Sequence, residues 1–305
     1  MDMRLFEYVL EIYKTKSFTK AANQLHIAQP SLSKQVAKLE QELGVSLFSR
    51  KPGSPVQATP DGLVFVKKAE KILQMRHDLK REMLERKEGI RGELKIGSTA
   101  ITGGLILPPL LKTYKQQYPN VKVELIEEST ETLIDLTARG VVDVSILSLP
   151  IEDSRLHTKT MFTEPLYLVL PQNLSVKEKQ HPLSIQDFAH CPFILLKKGY
   201  GFRRTVLELC ARDGFEPQIA YETSSIETAQ ALVGHGLGIT IVPEMVIQQS
   251  ACQSSLVYFP LRSNPTRTLV FTYQKDRYVS MNARAFFNIY EKNADHCTAH
   301  LPAVK

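Results

Sequence analysis

Few residues in this chain are arranged to make or break a covalent bond. Ser31 to Lys34 reads Ser-Leu-Ser-Lys, the S-x-x-K spacing of serine acyl-enzymes, but neither K-T-G nor S-D-N occurs anywhere in the sequence. Thr99 to Leu105 is glycine-bearing, yet it lacks the Lys-Ser/Thr ending of a phosphate loop. His296, Cys297 and His300 could touch a metal, but they sit in a polar tail with no fourth ligand nearby. No Ser–His–acid set and no paired carboxylates stand out, so neither catalysis nor a cofactor or metal is expected. What remains is recognition chemistry. Gln29, Ser31, Ser33, Lys34 and Lys38 offer an amide, hydroxyls and ammonium groups on one short stretch. An amide can read a base edge, a lysine can reach guanine acceptors or a phosphate, and a hydroxyl can do either.

Those side chains need an element to point them outward. Leu32, Val36, Leu39 and Leu43 recur at spacings of four, three and four, which gives a helix one buried face. Pro30 suits its first turn and Gly44 its end. Before it, Ser17 can cap a short helix carrying Ala21, Ala22 and Leu25, and Leu5, Phe6, Val9, Leu10 and Tyr13 predict another amphipathic helix. Two short helices with a tight joint are what a helix-turn-helix requires, the second free to enter a major groove. An ordinary solvated helix surface would show the same spacing. After it, Val45 to Arg50 and Pro55 to Ala58 predict two short strands around a turn at Pro52–Gly53. Arg50 and Lys51 would then lie on a hairpin suited to flanking backbone or minor groove.

The charge distribution points the same way. The chain has 305 residues and a net charge of +6; residues 1–90 hold 16 of its 38 basic and 11 of its 32 acidic residues, so +5 of the surplus lies there. A basic bias confined to one end favours a polyanionic partner there. The first residues do not read as a secretory signal and no stretch approaches a membrane span, so a cytoplasmic protein with no membrane partner is expected. The four cysteines are scattered, with no C-x-x-C pair, which suggests neither a disulfide scaffold nor a zinc knuckle.

Thr59 and Pro60 predict the cap and start of a long helix running to about Glu88. Val66, Ala69, Leu73, Leu79 and Met83 form a partial apolar seam on an otherwise charged rod. Such a seam predicts pairing with a second chain; a single helix lying on its own domain is the alternative. From Gly92 onward a repeated strand–helix rhythm predicts a mostly parallel sheet covered by helices, with a helix opening after Gly103–Gly104. Two α/β lobes with a cleft between them is the economical reading, the closing helix from Ala283 to Asn293 returning to the first lobe. Strand carboxyl ends and helix amides are where open α/β sheets bind small anions, and Ser98 and Thr99 fall at such an end.

The stretch from Ser17 to Arg50, "SFTKAANQLHIAQPSLSKQVAKLEQELGVSLFSR", followed by "ATPDG", resembles the DNA-binding domain of the LysR-type bacterial transcriptional regulators. The resemblance extends over the whole chain, and "LVGHGLGITIVPE" is similar to the family's second-lobe segment. It implies an N-terminal winged helix-turn-helix with a long linker helix, then a C-terminal two-lobed α/β domain resembling type 2 periplasmic binding proteins. The implied division is 1–59 for the winged head, 60–89 for the linker and dimerisation helix, 90–297 for the effector domain and 298–305 for a tail. Within the effector domain, lobe I would take about 90–162 plus 268–297, and lobe II about 163–267.

The resemblance further implies residue roles. Gln29, Pro30, Ser31, Ser33 and Lys34 would lie on DNA, with Lys38 beside them and the wing residues Arg50 and Lys51 flanking; beyond Lys51 this wing is poorer in basic residues than those of many relatives. Ser98, Thr99, Ser129, Leu147, Gly201, Phe202, Arg203 and Thr223 would surround the effector cleft. Arg203 could pair with an effector carboxylate, although Arg204 competes for that part and a surface role suits either. The expected partners are double-stranded promoter DNA, a small effector that is an organic anion such as a carboxylate, further copies of the chain in a homodimer assembling to a homotetramer, and RNA polymerase. Cys191 and Cys210 are further apart than the pair of the family's thiol-sensing branch, so redox sensing is not expected. The implied function is promoter activation or repression under control of the effector. The alternative is a cytoplasmic small-molecule-binding protein whose lobes serve only oligomer assembly.

Overall fold

The computed structural model describes residues 2–49, 54–174, 182–249 and 255–298. The chain divides into two compact units, residues 1–87 and 88–305. Arg50, Lys51, the Pro52–Gly53 turn, Cys252 and the tail beyond residue 298 lie outside the described residues, as do the side chains of His296 and Cys297.

In the first unit, Asp2 caps α1 (Met3–Thr15) by accepting the Arg4 amide. Ser17 caps α2 (Phe18–Gln24) by accepting the Lys20 amide. α3 (Gln29–Leu43) follows after a short joint in which His26 takes a left-handed φ of 55° and the Ile27 amide reaches back to the Ala22 carbonyl at 3.0 Å. Val9 and Ile12 of α1, Ala21 and Ala22 of α2 and Leu32, Val36 and Leu39 of α3 close on one core. Their small and branched side chains let three short helices cross closely, which none could sustain alone. Gly44 ends α3 at a φ of +71°, where a β-carbon would be strained.

Strands β1 (Phe48–Ser49) and β2 (Gln57–Ala58) pair antiparallel, so the two predicted strands meet, each shorter than its sequence pattern. Glu40 of α3 accepts the Leu47 and Phe48 amides at 2.7 and 3.2 Å, which fastens the hairpin to the helix. α4 (Pro60–Glu88) begins where expected, with the Thr59 hydroxyl accepting the Gly62 amide at 2.9 Å. Its first half lies on α1: Phe65 stacks on Phe6 with centroids 5.5 Å apart, and Arg76 pairs with Glu7 at 2.6 Å. Of the predicted seam, Val66 and Ala69 are buried and Leu73 is half-buried, whereas Leu79 and Met83 are exposed. Met75, Leu79 and Met83, four apart, make an uncovered apolar stripe on a charged helix.

The second unit is a two-lobed α/β structure. In lobe I, β3 (Gly92–Ser98) sits between β4 (Val121–Glu127) and β5 (Val144–Ser148), all parallel, and β11 (Thr266–Gln274) adds antiparallel to β5. α5 (Ala100–Gln117) and α6 (Thr130–Ala138) alternate with these strands, and α9 (Met281–Thr298) returns to this lobe. Phe286 meets both Tyr114 and Phe271 edge-on at 5.8 Å, so the closing helix is part of the lobe I core. α5 starts at Ala100, earlier than the glycine pair suggested. Gly103 and Gly104 lie inside its first turns, and a β-carbon at 103 would sit 2.2 Å from the Ser98 hydroxyl, which explains the glycine there.

β6 (Leu156–Pro171) is one sixteen-residue strand shared by both lobes. It pairs with β11 through Pro165, then with β9 (Thr240–Pro243) from Leu166 and with β10 (Leu256–Pro260) from Tyr167. Its first half includes the polar run His157 to Thr160, so the sequence pattern predicts a strand only for the apolar second half. Lobe II adds the parallel pair β7 (Pro192–Leu196) and β8 (Gln218–Thr223), with α7 (Gly201–Arg212) and α8 (Ile226–Gly234). Phe193, Leu209, Val233 and Ile241 are among its buried core residues. Among the described residues, no helix is long and apolar enough to cross a membrane.

Candidate functional site: a helix surface and an interlobe cleft

The first site is the outer face of α3. Leu32, Val36 and Leu39 are fully buried, whereas Gln29, Pro30, Ser31, Lys34 and Lys38 are exposed and Ser33 is half-buried. Ser31, Lys34 and Lys38, three and four apart, share one exposed face. Ala28 at the N-cap supplies no side-chain hydrogen bond, so no cap side chain occupies the amides of the first turn. That end of the helix therefore places the positive end of the helix dipole near Lys34, with Lys38 one turn further along the same face. The flanking Arg50 and Lys51 fall outside the described residues.

The second site is a cleft between the lobes of the second unit, enclosing about 530 Å³ of space, part of it open to solvent. Its position follows from the topology. The parallel strands β3 and β5 both end at this edge, which brings Thr99, Leu147 and Ser148 together. Across the cleft, β7 and β8 end side by side, with Leu196 paired to Thr223, and present Leu196, Tyr200 and Ser224 to Glu227. Strand carboxyl ends followed by helix starts thus face each other from both lobes, the arrangement that binds ligands in open α/β sheets.

Of the eight expected effector residues, Thr99, Leu147 and Phe202 line the cleft. Ser98, Ser129, Gly201, Arg203 and Thr223 are not in its wall, although each adjoins a segment that is. Ser98 is 1% exposed and its hydroxyl has no hydrogen-bond partner; it faces Gly103 beneath the first turn of α5. Ser129 caps α6, accepting the Thr132 amide at 3.3 Å, and Thr223 accepts the Ser225 amide at 3.2 Å. The hydroxyls of Ser129 and Thr223 therefore serve local capping. Arg203 donates to the Leu196 carbonyl at 2.7 Å and pairs with Glu222, which directs its charge away from the cleft. Arg204 pairs with Glu152 at 2.6 Å and Glu208 at 2.9 Å.

Several wall residues had no place in the expected set: Thr102, Thr130, Ser148, Tyr200, Glu227 and Arg267. Thr102 lies one helical turn from Thr99, and their hydroxyls are 3.1 Å apart. A strand followed by a Ser-x-Glu helix start could have flagged Ser225 and Glu227. Nothing local could have flagged Arg267. It is 4% exposed, its Nε donates to Glu164 at 2.8 Å with Nη2 equally near, and its guanidinium lies 5.4 Å from the Phe202 ring centroid. Glu164 also accepts the Met245 amide at 2.8 Å. Arg267 and Glu164 are directly opposed on β11 and β6, where β6 is about to change lobes.

One rim of the cleft is clasped. The Glu131 amide donates to the Gly199 carbonyl and the Gly201 amide to the Thr130 hydroxyl, both at 3.0 Å. Gly199 sits at a φ of +89°, which holds this approach at little steric cost. Cys210, by contrast, belongs to the lobe II core, and burial pushes its thiol up to about 12, so it is protonated at neutral pH. Among the described residues, no group of three or more His, Cys, Asp or Glu is placed to hold a metal ion.

The sequence matches two family models: "Bacterial regulatory helix-turn-helix protein, lysR family" over residues 3–63 and "LysR substrate binding domain" over residues 87–295. It is 48% identical over 306 residues to the uncharacterized HTH-type transcriptional regulator YcgK of Bacillus subtilis (strain 168), covering 95% of this chain and 94% of that one. It is 30% identical over 297 residues to the HTH-type transcriptional regulator BsdA of the same organism, covering 95% and 100%. Among solved structures, a full-length OxyR point variant from Pseudomonas aeruginosa matches with a TM-score of 0.70 at 26% identity, over 100% of this chain and 98% of that one. With the helix-turn-helix head, the linker helix and the paired lobes, these matches show that the chain belongs to the LysR family and is a DNA-binding transcriptional regulator with effector-binding lobes.

Proposed function

We propose that a small metabolite bearing an anionic end, such as a carboxylate, occupies the interlobe cleft and alters how the α3 surface controls a promoter. The observation carrying this reading is the meeting of helix starts and hydroxyls from both lobes around one cleft: Thr99 and Thr102 on one side, Ser224 and the Ser225-capped start of α8 on the other. Thr99 gives α5 no side-chain cap, so an acceptor on the ligand can take that place. Gln29 and Ser31 read base edges, Lys34 and Lys38 supply attraction, and Ser33 and Pro30 set the approach of the first turn. Arg50 and Lys51 contact the flanking backbone. Half-sites about one helical turn apart follow if two heads act as a symmetric pair.

The uncovered stripe of Met75, Leu79 and Met83 supports pairing of α4 between two copies, and dimers of such dimers form the working tetramer. The protein acts in the cytoplasm, where promoter DNA and RNA polymerase are available, as an activator or a repressor. A gel shift on the DNA flanking its own gene tests this reading. The full chain forms a discrete complex, and a metabolite that raises its melting temperature changes that complex. Ser98→Ala leaves the DNA complex intact and weakens the metabolite response, because the orphaned hydroxyl lies under the α5 helix start. Absence of a sequence-specific complex under every condition refutes the proposal.

A further inference from the structure

The charges in the cleft wall say more about the ligand than its shape does. Among the described residues, the wall contains one basic side chain, Arg267, and that charge is already neutralised by Glu164, whose side chain has no solvent exposure. Arg203, the other candidate for a ligand carboxylate, is held by Glu222 and the Leu196 carbonyl outside the wall. The acidic side is not neutralised. Glu227 lines the cleft on the first turn of α8, is exposed, and receives only the Ser225 hydroxyl, with no basic partner among the described residues. Glu131, on the opposite lobe, is also exposed, and its carboxylate lies beside Gly199 at the clasped rim. Lys197 and Lys198 are exposed after β7 but are not part of the wall.

The cleft therefore has a helix-amide and hydroxyl end at Thr99 and Thr102, and an anionic wall at Glu227. A plain carboxylate would meet donors at the first and repulsion at the second. A molecule with both a carboxylate and an ammonium group would be matched at both. We infer that the ligand of this cleft is an amine-bearing small molecule, an amino-acid-like zwitterion, with Glu227 as the residue that selects its ammonium group. This deepens the proposed function and rests on the cleft being the effector site.

The test uses full-length protein and a panel of three- to six-carbon α- and ω-amino acids, each paired with the carboxylate of the same chain lacking the amine. Binding is measured by calorimetry and thermal shift. At least one amine-bearing member binds at least tenfold tighter than its amine-free partner, and Glu227→Gln abolishes that difference by weakening the amine-bearing member while the amine-free partner, relieved of the Glu227 repulsion, binds at least as tightly as before. Glutamine keeps an acceptor for the Ser225 hydroxyl, and an unchanged ligand-free melting temperature verifies that the variant folds. Preferential binding of amine-free carboxylates, an undiminished amine preference in Glu227→Gln, or no binding across the panel overturns the inference. Amine-free binders that also alter the gel shift would sink this inference and leave the proposed function standing. Amine binding at Glu227 without any effect on the DNA complex would do the reverse.

Discussion

Replacing Arg267 by Met tests whether the cleft floor depends on a compensated charge pair. In the native chain the pair is almost fully withdrawn from water, with side-chain exposures of 3% for Arg267 and 0% for Glu164. Methionine fills comparable volume but removes the guanidinium from the Glu164 carboxylate, which keeps the Met245 amide. Stranding a buried charge in this way costs about 3–5 kcal/mol. Adding Glu164→Gln removes the charge and keeps an acceptor for the Met245 amide, so the remaining cost is that of lost neutral hydrogen bonds, about 1–2 kcal/mol. The double variant is thus more stable than the single one, a sign that local packing loss alone would not give. Urea unfolding of the full chain, followed by circular dichroism, measures both. Leu110→Ala marks the transition of the effector unit and Leu32→Ala that of the head, since each deletes a buried leucine from one unit only. An Arg267→Met cost below about 1 kcal/mol, or a double variant no better than the single, would refute the reasoning.

Three further outcomes are expected. Lys34→Ala lowers preference for the operator as well as affinity, because Lys34 is exposed on the α3 face; equal weakening on specific and random DNA, with a salt slope flatter by about 0.9, would make it only a phosphate contact. Gly62→Ala places a β-carbon 1.9 Å from the Leu47 carbonyl oxygen, so the head loses about 1–3 kcal/mol or more and its thermal transition falls; an unchanged transition would mean the strand-to-helix junction yields freely. Cys210, its thiol pushed up to about 12 by burial, resists thiol reagents at pH 8 in a Cys191→Ser/Cys252→Ser/Cys297→Ser background. Since the folded state favours the protonated thiol, this group weakens folding as pH rises above its ordinary value of 9.0 toward about 12, and fast labelling of native protein at pH 8 would contradict its placement.

The local rules written into the chain account for the head and for the alternation of strands and helices beyond it. Leu32, Val36 and Leu39 specify both a helix and its buried side, because helical periodicity is a property of neighbours in sequence. Ser17, Gly44, Thr59 and Pro60 mark helix ends for the same reason: capping acts over three or four residues. Long apolar strands such as Thr266 to Gln274 are equally plain. The polar first half of β6 is not, since its strand character comes from pairing with β11 more than a hundred residues later.

The cleft divides the same way. Ser98 and Thr99 can be placed at a strand end from the sequence, and that strand end does border the cleft. Arg203 draws attention as the arginine at a helix start, but only the folded chain brings Glu222 to it. Arg267 and Glu164 are 103 residues apart, and nothing near either one announces a buried pair. The sequence by itself determines which residues share a helix face or a cap, because those relations are short-range. Which charges meet, and so which remain uncompensated for a ligand, depends on strand order and lobe closure, and tertiary structure alone decides that.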